Sequence, residues 1–249
     1  MDNATYLAGL ASAVDSFTGL IEQSDLGAAV PTCPDWDVAA LVDHVVVVHT
    51  WVGQILEFGR DGARFSDEDL ERPARDSVAY ATWYRETADT MQADLAQRDP
   101  GAPCWNFSGV DQTFGFWPRR QMHEVNVHAF DAALSAGSAF LVAPAAAADG
   151  IDELFTVFGP RMAKRGVTPT LTAPITVAAT DADASWTLLP PGEGGYAAVT
   201  DDGRDAVANL SGTASDLFLA LWNRLPTERL TITGDSDVVA AYLSSRRAP

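Results

Sequence analysis

The sequence predicts a two-domain α+β protein, in which an N-terminal four-helix bundle is followed by a small antiparallel α+β domain. Two observations support this fold class. The first 137 residues carry four long segments with helical hydrophobic periodicity, a length pattern typical of helical bundles. After Thr168-Pro169 the sequence changes to short strand-like runs separated by turns. We expect residues 1–165 to form the bundle and residues 166–249 to form the second domain.

The helices of the first domain are defined by their apolar spacing and by their end signals. Asp35 is a plausible N-cap for the second helix, and Pro118 stands in the first turn of the fourth helix, where a missing backbone N–H is tolerated. A fifth helical pattern connects the two domains. The predicted helical ranges are 4–25, 36–59, 76–97, 118–137 and 145–165.

The second domain is predicted from runs rich in Val, Ile, Thr and aromatic residues. The turns between them are Asp- and Gly-rich, and one of them, Pro-Pro-Gly-Glu-Gly-Gly, is typical of a meander of neighbouring strands. We predict strands over 175–180, 185–189, 196–200, 206–210 and 230–233, and helices over 214–224 and 235–244.

Composition and charge exclude several classes of protein. With 249 residues and 47% apolar residues, the chain can bury a substantial core. The 16 basic and 34 acidic residues give a net charge of −18, which repels nucleic acid and anionic membrane surfaces. The N-terminus is acidic, unlike a secretory signal, and we find no long apolar run that would predict a membrane span. We expect neither a nucleic-acid nor a membrane partner, and a monomer or homodimer.

The two cysteines, Cys33 and Cys104, lie far apart and lack the spacing of a zinc finger or a CxxC motif. Two lone thiols are typical of a reducing compartment, so we expect a cytoplasmic protein. Either thiol could be a nucleophile, but both are next to prolines in predicted loops. We favour the interpretation that they are small apolar loop residues.

The candidate chemistry lies on the predicted fourth helix. Glu124 and His128 are four residues apart, so both side chains lie on one helix face within reach of a common ion. Two histidines and one carboxylate form a recurrent catalytic zinc or iron site that leaves positions open for substrate. The third ligand could come from the second helix, where periodicity alone does not choose between His44 and His49. The alternative is a solvated Glu–His surface pair and buried core histidines.

Other residues near these positions have ordinary interpretations. Arg119 and Arg120 open the fourth helix, where positive charge is unfavourable to the helix dipole, which indicates a specific reason for their presence. The alternative is a solvated helix start that pairs with the acidic surface. Five aromatic residues between 105 and 117 could line a pocket, but packing against the bundle is the favoured interpretation for most of these rings.

Two segments carry a resemblance to a known family. The run Trp117-Pro-Arg-Arg-Gln-Met-His-Glu-Val-Asn-Val-His-Ala-Phe-Asp-Ala132 resembles the R-x-x-x-H-E-x-x-x-H-x-x-D-A helix of mycothiol-dependent maleylpyruvate isomerase-family proteins. Residues 31–44 resemble that family's P-x-C-P-x-W-x-x-x-x-L-x-x-H segment. Segments 210–217, 221–224 and 233–235 resemble its sterol-carrier-like C-terminal domain. Ala129 and Phe130 depart from the residues that many relatives carry there.

The resemblance implies a fold, a site and an activity. The fold is an up-down, DinB-like metal-binding bundle followed by a sterol-carrier-like domain. The implied metal ligands are His44, Glu124 and His128, which hold Zn²⁺ or another divalent ion. Arg224 is implied to hold a substrate carboxylate. The cosubstrate is mycothiol, a low-molecular-weight thiol, and the reaction is isomerisation or S-transfer on a small electrophile.

Two other functions compete with this hypothesis. The second domain could carry an apolar ligand without catalysis, although a carrier has no reason to keep three metal ligands together. A metal-dependent hydrolase would use the same ligands, with water at the open position. Turnover that needs no thiol would favour the hydrolase.

Overall fold

A computed structural model of the chain describes residues 1–61, 70–192, 198–200 and 205–245. The chain divides into two compact units, Met1–Phe140 and Leu141–Pro249. The predicted α+β fold class is confirmed, since the first unit is helical and the second combines a sheet with helices. The predicted boundary at 165/166 lies later than this division. The helix predicted over 145–165 as a bridge belongs to the second unit, where its first part, Pro144–Glu153, packs against the helix Ala214–Leu221.

In the first unit, residues 1–61 and 70–140 contain four long helices. They are α1 (Asn3–Glu22), α2 (Val38–Phe58), α3 (Ser77–Gln97) and α4 (Phe116–Ser135). Both α1 and α2 pack against α3 and α4. Each of the first three helices begins after an aspartate whose carboxylate accepts a backbone N–H of the first turn, which satisfies an otherwise unpaired donor. The core includes the fully buried Phe17, whose ring meets that of Tyr84 edge-on with centroids 4.8 Å apart.

Helix α2 begins two residues later than the sequence suggests. Asp37, and not Asp35, is the N-cap, and its carboxylate accepts the N–H of Ala40 at 2.9 Å. The residues before it form a hydrogen-bonded turn in which Val30 and Trp36 pair through their backbones at 3.0 Å. This turn keeps the ring of Trp36 outside the helix.

Helix α4 is buried on almost every side. Its buried residues include the polar side chains of Arg120, Asn126, His128 and Asp131. Buried polar groups need hydrogen-bond partners, because desolvation is otherwise uncompensated. The chemistry of the unit therefore concentrates on this helix.

The aromatic residues in the loop before α4 and in its first turn pack against the bundle, as predicted. The ring of Trp117 is fully buried and meets the rings of Trp51 and Phe116 edge-on, with centroids 5.6 and 5.3 Å apart. Trp105 also meets Trp51 at 6.3 Å. This cluster fixes the start of α4 against α2.

In the described ranges, α2 alone has the length and mean hydropathy that would allow a membrane span. Half of its most apolar window is buried inside the protein. A core helix of a bundle has the same composition, so the apolar character of α2 is explained by its packing against α3 and α4.

The described residues of the second unit form five strands and several helices. The helices are α5 (Pro144–Glu153), α6 (Gly159–Lys164), α7 (Ala214–Leu221) and α8 (Ser236–Ser245), with a 3₁₀ turn at Thr227–Arg229. The helix predicted over 145–165 is interrupted by a π-helical segment, Leu154–Phe158. Pro160 stands in the first turn of α6 and has no N–H for the carbonyl four residues earlier, which explains the interruption.

The sheet has the order β3-β2-β1-β4-β5. Its strands are β1 (Ile175–Ala179), β2 (Ser185–Leu188), β3 (Ala198–Thr200), β4 (Ala208–Gly212) and β5 (Thr231–Gly234). Three of the four strand pairs are antiparallel as predicted, but β1 and β4 are parallel. Ile175 lies opposite Ala208 in this pair. The start of the third predicted strand, at 196–197, and most of the turns flanking that strand lie outside the described residues.

Candidate metal centre

Three side chains from two helices converge in the first unit. One ligand atom from each of His44, Glu124 and His128 lies within 4.8 Å of the other two. The Glu124 Oε1 atom is 3.3 Å from Nε2 of His44 and 3.5 Å from Nε2 of His128. The two imidazole rings meet edge-on, with centroids 5.0 Å apart. The structure thus brings the three predicted residues together.

Helical geometry explains two of these positions, and packing explains the third. Glu124 and His128 stack on one face of α4 because four residues advance slightly more than one turn. His44 comes from α2, which packs against α4. The side chain of His44 is 34% exposed and that of Glu124 is 21% exposed, whereas His128 is buried. The cluster is therefore open to small molecules on the His44 side.

A buried carboxylate orients His128. The Oδ2 atom of Asp131 lies 2.9 Å from Nδ1 of His128, and Asp131 is fully buried. The hydroxyl of Thr32 donates to the other oxygen of Asp131 at 2.6 Å. An ionised carboxylate only accepts, so the imidazole donates through Nδ1 and its Nε2 is free to act as a ligand. The sequence motif contained this aspartate, but its role became visible only in three dimensions.

Arg120 holds the other side of the Glu124 carboxylate. Its guanidinium is 3% exposed and donates to Oε2 at 3.1 Å. The interpretation of Arg120 as a solvated residue pairing with the acidic surface is wrong, because the helix start is buried and this cation faces inward. A buried pair of arginine and carboxylate is stable when the polar atoms of both groups have hydrogen-bond partners. Here the pair fixes the orientation of the Glu124 side chain.

The charge balance of the site favours an ionised carboxylate. Burial opposes the ionisation of Glu124, but hydrogen bonds with His128 and His44 and the charge of Arg120 hold its pKa well below its usual range. Burial likewise opposes a charged His128, but the contacts with Asp131 and Glu124 outweigh it and raise the pKa of that ring. A cation bound here would displace the proton of His128, so cation affinity is expected to rise with pH.

An aromatic wall borders the cluster. The indole of Trp36 lies over His44, with ring centroids 4.9 Å apart, and its centroid is 6.3 Å from that of His128. Trp36 is half-buried and precedes α2 because of the turn described above. The sequence motif included this tryptophan without assigning it a place in the site.

The donor set fits a divalent transition metal. Two imidazole nitrogens and one carboxylate oxygen face one another, and a second carboxylate fixes one imidazole in the ligating tautomer. Three protein ligands leave coordination positions for small molecules, a pattern found in catalytic rather than structural zinc sites.

The remaining candidate residues lie elsewhere. His49 is not part of the cluster; it is buried, and its ring lies 5.6 Å from that of Tyr84 on α3. Burial lowers the pKa of His49 to about 4, so its imidazole is neutral. Arg224 belongs to the second unit, where it follows α7, is half-buried and donates to the Trp222 carbonyl at 3.0 Å.

Comparisons with known proteins agree with this architecture. The family described as "Mycothiol maleylpyruvate isomerase N-terminal domain" matches residues 7–133, and the one described as "MDMPI C-terminal domain" matches residues 145–241. No curated protein sequence matches the chain significantly.

Two solved structures share the fold. A crystal structure of the mycothiol-dependent maleylpyruvate isomerase is 10% identical, has a TM-score of 0.64, and matches over 94% of this chain and 93% of its own. A histidine-to-alanine mutant of the mycothiol-dependent maleylpyruvate isomerase gives a TM-score of 0.63 at the same identity and coverage. At this identity the likeness concerns the fold.

The neutral, buried His49 predicts a pH-dependent contribution to stability. Its pKa in the folded chain is about 4, whereas its ordinary value is 6.5. Between pH 6.5 and about pH 4 the unfolded chain therefore takes up a proton at His49 that the folded chain does not. The free energy of unfolding consequently falls as the pH falls through this range. We expect the wild-type free energy of unfolding to drop by about 2 kcal/mol more than that of His49→Phe between pH 7 and pH 5.

Urea unfolding followed by circular dichroism at both pH values measures this difference. The His49→Phe variant keeps a ring of similar size beside Tyr84 but cannot be protonated. Parallel losses of stability in the two proteins would show that His49 is not held neutral.

Proposed function

Since the chain belongs to the mycothiol maleylpyruvate isomerase family, we propose that it is a mycothiol-dependent metalloenzyme, an isomerase or S-transferase that acts on a small electrophile. The observation that carries this proposal is the convergence of His44, Glu124 and His128, whose ligand atoms lie within 4.8 Å of one another. A bundle without a metal-dependent reaction has no need for this donor set, nor for the buried Asp131 behind it.

We assign the three residues as ligands of Zn²⁺ or another divalent ion. When bound, such an ion stabilises the thiolate of an incoming thiol over the neutral thiol, which supplies the nucleophile for the reaction. The chain itself supplies orientation and charge. Arg120 keeps Glu124 ionised and fixed, Asp131 holds the Nδ1 atom of His128 so that Nε2 faces the cluster, and the ring of Trp36 packs against that of His44.

The open His44 side of the cluster is where the substrate would approach. A conjugated double bond that accepts a thiolate, rotates and then expels it is isomerised, and the thiol is regenerated. An electrophile that loses a leaving group instead keeps the sulfur. Holding thiol and electrophile together converts a bimolecular encounter into an intramolecular step, which is the main contribution that the protein can make in either case.

The substrate class follows from the family and from charge. Maleylpyruvate, the substrate in the family's name, is the first compound to assay, and related carboxylate-bearing electrophiles come next. Because the chain carries a net charge of −18, an anionic substrate needs a local cation, and we assign that role to Arg224.

Both cysteines are free, which suits a reducing cytoplasm where a thiol cosubstrate is available.

Incubation of the zinc-loaded protein with mycothiol and these electrophiles, followed by mass spectrometry, tests the proposed reaction. We expect isomerised product with unchanged thiol, or a thioether adduct, and no turnover when the thiol is left out. Turnover that is equally fast without any thiol would instead support a metal-dependent hydrolase.

The ligand assignment predicts the loss of metal from one variant. Replacement His128→Ala removes an imidazole whose Nε2 atom faces Glu124, so stoichiometric zinc should be lost while the helices persist. Elemental analysis after dialysis measures the zinc, and circular dichroism checks the fold. His49→Phe is the matched control, because it changes a buried histidine outside the cluster and should keep its zinc. Wild-type zinc occupancy in His128→Ala would contradict the assignment.

If the carboxylate of Asp131 orients His128, replacing it should weaken zinc binding without abolishing it. In Asp131→Asn the side-chain amide can donate to Nδ1 of His128, which favours the tautomer with its proton on the ligating nitrogen. We expect zinc affinity to fall by roughly 10- to 100-fold, the usual effect of losing such an orienting partner. Competition with a chromogenic chelator measures the affinity. Thr32→Ala keeps the carboxylate and should have a smaller effect, whereas an unchanged affinity in Asp131→Asn would show that Asp131 does not tune the ligand.

The role proposed for Arg224 predicts a change in KM. Arg224→Gln should raise the KM for a carboxylate-bearing electrophile by more than tenfold, because a charge-assisted hydrogen bond is worth about 1.5–3 kcal/mol. The KM for the corresponding uncharged amide should not change. Arg229→Gln is the control, since Arg229 is an exposed arginine of the same unit that pairs with Asp216. If Arg224→Gln lowers only the melting temperature, Arg224 is a structural residue that closes α7 through the Trp222 carbonyl.

A further inference from the structure

The imidazole of His49 is buried with neither nitrogen satisfied. The residue is 1% exposed, and within the described part of the chain neither Nδ1 nor Nε2 has a hydrogen-bond partner. Buried side-chain nitrogens are hydrogen-bonded in the large majority of cases, so a group left unpaired calls for a partner outside the protein. His49 is not one of the three residues assigned to the metal centre.

A cavity lies beside this imidazole, between α2 and α3. Its volume is about 610 Å³, which is within the range of small-molecule sites. Ten of the described residues line this cavity, and none of them is assigned to the metal centre. His49 and Met91 are its buried members, and Glu57 and Thr90 are exposed. Gly53 also lines the cavity, and a Cβ atom placed there would meet nothing within 4 Å.

The charges of the lining disfavour an anion. Glu57 and Asp94 are acidic, and the guanidinium of Arg98 is engaged by Asp94 through hydrogen bonds of 2.9 and 3.1 Å. Arg98 also lies over the ring of Phe114, 5.2 Å from its centroid. An anionic ligand would have to displace Asp94 from its arginine.

The polar groups of the lining suit a hydroxyl. A buried neutral imidazole offers one N–H donor and one acceptor nitrogen. The hydroxyl of Thr87 donates to the Trp83 carbonyl at 2.9 Å and that of Thr90 to the Glu86 carbonyl at 2.8 Å, so both oxygens remain available as acceptors. The thioether of Met91 provides a polarisable apolar surface that suits an aromatic ring.

We propose that this cavity is a second ligand site, separate from the metal centre, that binds a small uncharged molecule with an apolar ring and a hydroxyl group paired with His49. Phenol has this chemistry and is uncharged at neutral pH. It serves as the probe.

The four methionines of the chain allow a direct test. In the full-length, zinc-supplemented protein with ¹³C-labelled methionine methyl groups, NMR titration with phenol should move the Met91 signal saturably. The signal of Met122, on the ligand helix α4, and that of Met162, in the second unit, should not move. A Met91→Leu variant assigns the resonance.

Two variants make the test specific. Gly53→Leu places a side chain in open space on α2, so the protein should fold and the saturable response should disappear. His49→Phe removes the hydrogen bond but keeps a ring, so phenol affinity should fall by up to about tenfold.

Three results would overturn the proposal. A linear or absent Met91 response would show that only solvent fills the cavity. A response that persists unchanged in Gly53→Leu, or that appears at Met122 and not at Met91, would place phenol elsewhere in the protein. Equal affinity in wild type and His49→Phe would exclude the imidazole as the hydroxyl's partner.

Discussion

The carboxylate of Glu124 is shared among three cationic or hydrogen-bonding groups from two helices, and the arrangement of the first unit depends on it. One oxygen faces the Nε2 atoms of His44 and His128, and the other accepts from Arg120. A buried carboxylate without such partners would be protonated or would destabilise the fold. Here the partners keep the carboxyl group of Glu124 ionised. Because one of them, His44, lies on α2, this requires α2 to contact α4 at His44.

A second layer of hydrogen bonds joins the site to the loop before α2. Asp131 of α4 bonds to His128 on one side and to Thr32 on the other. Thr32 belongs to the same turn that ends at the Asp37 cap and sets Trp36 over His44. The loop, the cap, α2 and α4 therefore form one connected structure, so a change in the loop is expected to reach the proposed metal ligands through Asp131.

The two histidines of α2 illustrate how a single helix can separate functions. His44 is a third exposed and lies beside a carboxylate and a second imidazole. His49 lies five residues later, about 140° around the helix, and its burial keeps it neutral. The same residue type is thus partly exposed beside charged partners on one face and buried and neutral on the other.

Much of the fold followed from local sequence. Hydrophobic periodicity located all four bundle helices to within a few residues, because this signal acts over a few neighbouring positions. The predicted N-cap of α2 was two residues too early. The i,i+4 pair Glu124 and His128 was also predictable, since helical geometry alone places it on one face.

Long-range packing decided the rest. Spacing could not choose between His44 and His49, because the rotation of α2 about its axis is set by its contacts with α3 and α4 and not by its own sequence. The same reason explains why Arg120 was expected in solvent and is buried, and why β1 and β4 pair in parallel although consecutive strands suggested antiparallel neighbours. By itself the sequence determined which residues form helices and strands and which side chains share a face. Only the tertiary structure decided which faces meet, because each helix and strand is oriented by the burial of the whole unit.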